Sequence, residues 1–230
     1  MKTVLYILGI ALFFSCGKDK AVQLPEINHS DITKITDVSA AYLFYDETQA
    51  DSVELNRRNL ISTTNWLINV DKRLTLKQAI PQIKFLQEKK GNSSHKNEKA
   101  KNYFTCHDTD INNLGFIEFT DVVYHNNLIT NLIAEEIDKK NESVILYFNA
   151  TDDIKINTLN NDVNNLISHS NVSQLNNDLM SIIEKQNVKT SFILCFNKNL
   201  SFQKYISFKS ILSKLSAQPI LISNTEFISD

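Results

Sequence analysis

The most reactive group of residues in the body of the chain is Cys106-His107-Asp108, a thiol, an imidazole and a carboxylate in direct succession. These three groups can act as nucleophile, base and orienting acid in a hydrolase. Catalytic sets of this kind assemble from separate segments, because neighbours in sequence do not normally meet in the required geometry. We therefore expect loop residues that precede a strand, and predict no catalytic site here.

The next segment, Asp108-Thr109-Asp110-Ile111-Asn112, resembles the opening of a calcium-binding loop. That pattern needs glycine at its sixth position and glutamate at its twelfth, where this chain has Asn113 and Phe119. The segment therefore favours a turn with side-chain-to-backbone hydrogen bonds. The histidines show no pair at ligand spacing, so no metal site is predicted; they are His29, His95, His107, His125 and His169.

Composition excludes further classes of protein. The chain has only four glycines, and a phosphate-cradling loop needs several close together, so no nucleotide cofactor is predicted. The net charge is −2 and becomes more negative if Lys2 is removed with a signal peptide. This charge argues against nucleic acid or anionic lipid as an electrostatic partner.

The N-terminus has the organisation of an export signal. Lys2 precedes an apolar run over residues 4–14, which ends at Ser15-Cys16. About eleven apolar residues match a secretory signal but cover only about half of the hydrocarbon core of a membrane. We predict a signal peptide over residues 1–15, and a transmembrane helix is the alternative.

The sequence Leu12-Phe13-Phe14-Ser15-Cys16-Gly17 resembles the lipobox of bacterial lipoproteins, although Phe13 and Phe14 are bulkier than its strictest form. The resemblance implies lipidation of Cys16 after cleavage, and several acyl chains on one cysteine make a stable anchor. Gly17 is not the aspartate that retains lipoproteins at the inner membrane. The outer membrane is therefore expected, with the body either periplasmic or surface-facing and residues 16–39 forming a lipidated tether.

An N-terminal α/β half is predicted for residues 40–125. Strands are expected at Ala41–Tyr45, Thr63–Val70 and Phe116–Tyr124. Helices are expected over Asp51–Leu60 and from Thr75, where Thr75-Leu76-Lys77-Gln78 fits a capping box. Pro81 predicts a kink or a later start of that helix. Residues 87–102 are basic and polar and predict an exposed loop, and Trp66 is expected in the core.

A C-terminal α/β half is predicted for residues 126–230. Strands are expected at Val144–Phe148, Ser191–Phe196 and Pro219–Ser223. Helices are expected over Leu128–Lys139, Ile156–Ile167, Leu175–Gln186 and Ser201–Leu215. Apolar strands that alternate with helices predict an α/β or α+β fold in which helices cover a mixed sheet.

The two halves could be related. Thr64–Leu86 aligns with Thr190–Leu212 without a gap, and five of the 23 positions are identical. Any two strand–turn–helix units could match to this extent, so duplication and chance both remain open.

A second family resemblance lies near the C-terminus. The stretch Ile193-Leu194-Cys195-Phe196-Asn197-Lys198-Asn199-Leu200-Ser201-Phe202, followed by a helix and a strand, is similar to the periplasmic domain of the ExbD/TolR biopolymer-transport family. It covers some 35 residues. Asn197 stands where that family usually has aspartate, and a lipoprotein signal replaces the family's transmembrane helix with its proton-carrying aspartate. The resemblance implies the fold and not proton-driven coupling.

Three functions follow from these patterns. The first is a non-catalytic envelope lipoprotein that binds a protein partner or the cell wall. The second is a surface ligand-binding lipoprotein that uses exposed aromatic residues such as Tyr42, Trp66 or Tyr103. The third is a lipid-anchored hydrolase, which requires Cys106, His107 or His125 to meet a carboxylate. Cys16 is the one residue to which the sequence assigns a chemical role.

Overall fold

The computed structural model describes residues 20–95, 97–126, 142–159, 166–185, 190–215 and 220–230. Within these ranges the chain forms strands and helices that make two six-stranded sheets. The strands are β1 Glu26–Ile27, β2 Val38–Tyr45, β3 Val53–Asn56, β4 Asn65–Val70, β5 Asn102–Asp108, β6 Asn113–Glu118, β7 Val123–Asn126, β8 Glu142–Phe148, β9 Ile154–Leu159, β10 Leu166–Ser170, β11 Thr190–Asn197 and β12 Ile220–Ser229. The helices are α1 Leu76–Gly91, α2 Leu175–Lys185 and α3 Phe202–Lys214. The predicted α/β class is confirmed.

The first sheet has the strand order β1-β5-β4-β2-β3, and β6 also pairs with β5. Strands β2, β4 and β5 are parallel, whereas β3 and β6 run antiparallel to their neighbours. Helix α1 connects the parallel strands β4 and β5. It begins directly after Thr75, whose backbone N–H donates to Gln78 Oε1 at 2.8 Å. The helix therefore starts at the predicted cap, and Pro81 lies within it.

The second sheet has the order β10-β9-β8-β11-β12-β7. Strands β8, β11, β12 and β7 are parallel, and β9 and β10 extend the sheet as antiparallel strands. Helix α3 connects β11 to β12. It begins after Ser201, whose side chain accepts a hydrogen bond from Lys204 N at 3.3 Å.

One apolar core lies against the inner faces of both sheets. It contains the buried residues of all three helices together with alternate residues of the central strands. Trp66 is 2% exposed in this core, as predicted, and its indole N–H donates to Ile61 O at 2.7 Å. Alternate residues of a strand point to opposite faces, so the next residues along each strand form an outer face.

The two segments that align in sequence are equivalent in the fold. The four-strand series β3-β2-β4-β5 has the same order and relative directions as β9-β8-β11-β12. Residues 126 positions apart also make reciprocal backbone hydrogen bonds between the two units. These bonds are Leu76 N to Leu200 O at 2.9 Å and Phe202 N to Leu74 O at 2.6 Å, and Lys77 N to Lys198 O at 2.8 Å and Gln203 N to Lys72 O at 3.2 Å.

This reciprocity relates the two strand–turn–helix units by an approximate two-fold axis. Thr75 and Ser201, the equivalent residues that precede the helices, form an isolated β-bridge with each other. The aligned sequences therefore occupy matching structural positions. A common ancestry of the two units stays a prediction.

Two predicted helices are wrong. Asp51–Leu60 contains strand β3, and Ile156–Ile167 contains most of β9 and the beginning of β10, with 160–165 outside the described residues. Both segments pair antiparallel beside a strand of the parallel core. Their apolar spacing is compatible with a helix, but the ladder offered by the neighbouring strand determines their structure.

Other boundaries also differ. The predicted exposed loop over residues 87–102 is wrong at its start, because α1 continues to Gly91 and Lys90 is only 7% exposed. The predicted strand Phe116–Tyr124 is divided between β6 and β7, which belong to different sheets. The predicted helix Leu128–Lys139 lies outside the described residues, and so do the signal peptide and Cys16.

A buried polar network joins α3 to the strands β12 and β7. Glu226 has no exposed surface and accepts hydrogen bonds from Lys209 Nζ at 2.5 Å and from the Tyr205 hydroxyl at 2.8 Å. The Tyr205 and Tyr124 hydroxyls are 3.1 Å apart. Burial raises the pKa of both tyrosines well above the usual range, so both keep their protons. Lys209 is the ion-pair partner of Glu226.

Candidate functional site

The part of the N-terminus that the structure describes is bound to the body of the protein. We call residues 20–32 the N-terminal strap. Its backbone is held at Gln23, whose N–H donates to Asp71 Oδ2 at 3.2 Å and whose carbonyl accepts from Lys72 N at 2.7 Å. Further along, Pro25 O accepts from His107 N at 2.8 Å. The strap thus crosses the carboxyl ends of β4 and β5.

Asp71 is one of the residues that attach the strap to the body. Burial by itself would raise the pKa of this carboxyl, but hydrogen bonds from Arg73 and from Gln23 N outweigh it, and the pKa is lowered. Arg73 donates from Nε at 2.8 Å and from Nη2 at 2.7 Å. Asp71 is therefore an ionised acceptor that fixes the strap and the turn after β4 together.

The far end of the strap becomes part of the first sheet. Strand β1 pairs parallel with the end of β5, and Ile27 is 4% exposed in the core. Ser30 N donates to Asp108 Oδ2 at 2.8 Å. A Cβ atom on Gly115 would lie 2.7 Å from the Ser30 Cβ, so this close approach requires glycine. From residue 20 onward, the segment predicted as a tether is therefore bound to the body. The alternation of the apolar residues Val22 and Leu24 with the polar Gln23 is the sequence feature that indicates an extended, bound segment.

The near end of the strap is anchored by Lys20. Its ammonium group donates to Asp46 at 2.6 Å and also to Glu54. The Lys20 hydrogen bond lowers the pKa of Asp46, assisted by the hydroxyl and the backbone N–H of Thr48. Lys20 is only four residues after Cys16, so the strap begins almost directly after the predicted lipid anchor.

A cleft of about 360 Å³ lies between the strap and the outer face of the first sheet. Tyr42 and Phe44 line it, with ring centroids 6.0 Å apart. Asn69 is 8% exposed in its floor and donates from Nδ2 to Ala41 O at 3.0 Å. Thr105, at the corresponding position of the next strand, has a buried hydroxyl with no hydrogen-bond partner. This outer-face cleft combines aromatic walls with a few polar groups, as small-ligand and peptide sites do.

A second, larger cleft of about 600 Å³ lies along the edge strand β3. Arg57, Arg58 and Lys89 contribute its cations, and Glu54 lies at one end. The Arg57 guanidinium lies 5.0 Å from the centroid of the Phe85 ring, which holds it in place. We call this cleft the β3-edge groove.

The structure does not bring together the groups of the hydrolase hypothesis. Cys106 is buried in the core with its thiol pKa raised to about 12 by burial, whereas His107, the next residue, is half-buried on the outer face. Asp108 is buried and accepts from Ser30 N and Asp110 N. The residues lie in strand β5 rather than in the predicted loop, and a strand turns neighbouring side chains to opposite faces. His125 lies in the other sheet, beside Phe227.

The other sequence candidates have structural roles. Asp108–Asn112 enters a turn in which Asp110 N donates to Asp108 Oδ1 at 3.1 Å, as predicted. Among the described residues, no three His, Cys, Asp or Glu side chains are grouped so that they could hold a metal ion. Cys106 and Cys195 are separate buried thiols, and Cys195 also has its pKa raised to about 12 by burial. Tyr103 is 8% exposed on the outer face.

Comparison of the chain with models of protein families, with curated proteins and with solved structures found no match. None of the helices that the structure describes is long and apolar enough to cross a membrane.

Proposed function

We propose that this chain is a bacterial envelope lipoprotein, anchored to the outer membrane by lipid on Cys16, whose body is a non-catalytic binding or assembly module. The apolar run that ends at Ser15-Cys16 supports the anchor. Only three residues separate Cys16 from Lys20, the first residue of the strap, whose ammonium group binds the body of the protein. A lipid on Cys16 would therefore hold the body close to the membrane.

The observation that carries the binding role is the outer face of the first sheet. The buried apolar residues of α1, α2 and α3 all belong to the core on the inner side, so no described helix packs its apolar side on this face. Tyr42, Phe44 and Leu67 remain partly exposed there. Aromatic residues are enriched at protein-binding surfaces relative to the rest of the protein surface.

The ExbD/TolR resemblance agrees with an assembly role. Strand β11, the turn at Lys198, helix α3 and strand β12 follow one another in the order that this resemblance predicts. The resemblance itself stays a prediction, and proton-driven coupling is not part of the proposal.

Binding of a small ligand in the outer-face cleft is the second candidate. The stacked pair Tyr42 and Phe44 and the polar lining residues Asn56 and Asn69 favour it. Trp66, which the sequence offered for such a site, lies in the core and does not contribute. The geometry does not favour the hydrolase hypothesis, because Cys106, His107 and His125 do not meet at one site with a carboxylate.

Metabolic labelling with a fatty acid tests the anchor. Wild-type chain and a Cys195→Ala control should both incorporate label, whereas Cys16→Ala should not. Protease treatment of intact cells then distinguishes a surface-facing body, which is digested, from a periplasmic one. Absence of label on the wild-type chain would end the lipoprotein proposal.

Site-specific photo-crosslinking tests the binding face. A photoreactive amino acid in place of Tyr42 should capture a fixed envelope protein, whereas the same group in place of the exposed Lys185 on α2 should not. Equal capture at both positions would contradict a role for the outer face. Capture at neither position, together with a small molecule that protects the Tyr42 position from modification, would favour the second candidate.

A further inference from the structure

We propose that the β3-edge groove lies against the membrane and binds the phosphates of anionic lipid headgroups. The inference rests on the proposed anchor at Cys16 and adds the orientation of the body and a second, electrostatic contact. It concerns Arg57, Arg58 and Lys89, to which the binding role above assigns no part.

The length of the chain between the anchor and the body limits the orientation. Lys20 is four positions after Cys16, and an extended chain spans at most about 3.6 Å per residue, so this segment covers no more than about 14 Å. Lys20 binds Glu54 at one end of β3. The four residues of β3 span roughly 13 Å at about 3.3 Å per residue. Arg57 and Arg58 directly follow β3. The cationic end of the groove therefore lies about one such length from Lys20, close enough for a lipid on Cys16 to bring it to the headgroups.

The charge of the groove is suited to that position. No carboxylate among the described residues forms an ion pair with Arg57, Arg58 or Lys89, and all three side chains are exposed. Glu54, the one acidic residue in its lining, is already paired with Lys20. The groove is thus strongly positive although the whole chain has a net charge of −2. Arginine binds phosphate through two parallel N–H groups, and lysine binds it as a point charge.

Acidic residues nearby lie at the other end of β3. Asp46 is paired with Lys20, and Glu47 accepts a hydrogen bond from the Tyr45 hydroxyl. Asp51 is exposed in the turn that precedes β3. Arg57 and Arg58 directly follow β3 at the opposite end. The charge along this edge therefore changes from negative before β3 to positive after it. The overall negative charge argues against adhesion of the whole surface to an anionic membrane, but not against contact of this groove.

The test uses the full mature chain, residues 16–230, with Cys16→Ser, so that binding does not depend on lipidation. Its sedimentation with phosphatidylcholine vesicles is compared with that on vesicles containing phosphatidylglycerol. The wild-type body should prefer the anionic vesicles, and added salt should abolish the preference.

Three variants locate the contact. Arg57→Ser/Arg58→Ser/Lys89→Ser should lose roughly a hundredfold in affinity, since each cation at an anionic surface contributes about 1 kcal/mol. Lys34→Ser/Lys185→Ser/Lys214→Ser removes the same charge elsewhere and should change the affinity far less. The charge-conserving variant Arg57→Lys/Arg58→Lys/Lys89→Arg should retain binding, and equal far-ultraviolet circular dichroism and urea unfolding of all variants excludes misfolding as the cause of a loss.

Equal losses in the groove and control variants would overturn the inference, as would wild-type binding that does not distinguish the two vesicles. Binding of inorganic phosphate without binding of vesicles would overturn it as well. The outcome is independent of fatty-acid labelling. A labelled Cys16 with no groove effect removes only this inference. An unlabelled Cys16 with a groove effect removes the anchor and the orientation derived from it, and leaves the contact of the groove with phosphate.

Discussion

The buried pair Lys209–Glu226 provides the sharpest test of how the second sheet is held together. Substitution Lys209→Met removes the cation but keeps an unbranched apolar side chain. Glu226, with no exposed surface, would then retain only the Tyr205 hydroxyl as a partner. Loss of one member of a buried ion pair costs about 3–5 kcal/mol. We expect about 3 kcal/mol, because the tyrosine bond remains.

The double substitution Lys209→Met/Glu226→Gln should cost less than Lys209→Met alone. The glutamine amide can still accept the hydrogen bond of Tyr205, and no unpaired charge remains in the interior, so we expect a loss of about 1–2 kcal/mol. Glu226→Gln alone should be similarly mild, since Lys209 is 13% exposed and can reach water.

Urea unfolding of the four chains, followed by circular dichroism, measures these free energies. For a chain of this length, a loss of about 3 kcal/mol should also lower Tm by roughly 6–12 °C. A double variant whose loss equals the sum of the single losses would refute the reasoning, because the two side chains would then be independent. A loss below about 1 kcal/mol for Lys209→Met would show that the Glu226 charge is not isolated by removal of its partner.

Three further predictions concern single residues. Gly115→Ala should lower the free energy of unfolding by about 1–3 kcal/mol through overpacking, and should speed hydrogen exchange in the strap. The control Gly91→Ala, which has open space around its Cβ, should not destabilise the protein. Unchanged hydrogen exchange in Gly115→Ala would contradict the close packing. Burial lowers the pKa of Lys90 to about 8, so only the unfolded chain keeps this proton between about pH 8 and 10.5. The free energy of unfolding of the wild type relative to Lys90→Met should therefore rise across that interval in pH-dependent urea titrations, and a fall would show that the sign is wrong. The thiol pKa values of about 12 at Cys106 and Cys195 predict no reaction with a thiol reagent at pH 8 in the folded chain and full reaction in urea; rapid native labelling would contradict their burial.

Much of the core could be predicted from local patterns. The units around Trp66 and around Phe192 each contain an apolar strand, a short polar turn, a capping residue and an amphipathic helix within about 25 residues. The signals for each element are therefore close together in the chain. The ungapped alignment of the two units also predicted that they occupy matching positions. The reciprocal backbone hydrogen bonds of Leu76 N and Phe202 N agree with this prediction.

The candidate surfaces were harder to predict. The outer-face cleft joins Val22, Tyr42 and Asn69, and the β3-edge groove joins Arg57 and Lys89; both depend on contacts between distant segments. Tyr42 was proposed as a binding residue on the basis of its type alone. No sequence pattern marks Arg57, Arg58 and Lys89 as a cluster, because Lys89 is distant from the arginines in the chain and the net charge of −2 conceals a local excess of cations.

The sequence by itself determined most elements of the parallel core, although not strand β5, together with the burial of Trp66 and the predictions of no phosphate loop and of an anchor at Cys16. These conclusions depend on side-chain periodicity, on caps and on residue types, all of which act over a few neighbouring residues. Only the tertiary structure decided that residues 53–56 and 154–159 are strands and that the N-terminal strap is bound. A strand beside an existing sheet obtains its hydrogen bonds from residues far away in the chain, so its own local pattern cannot specify it.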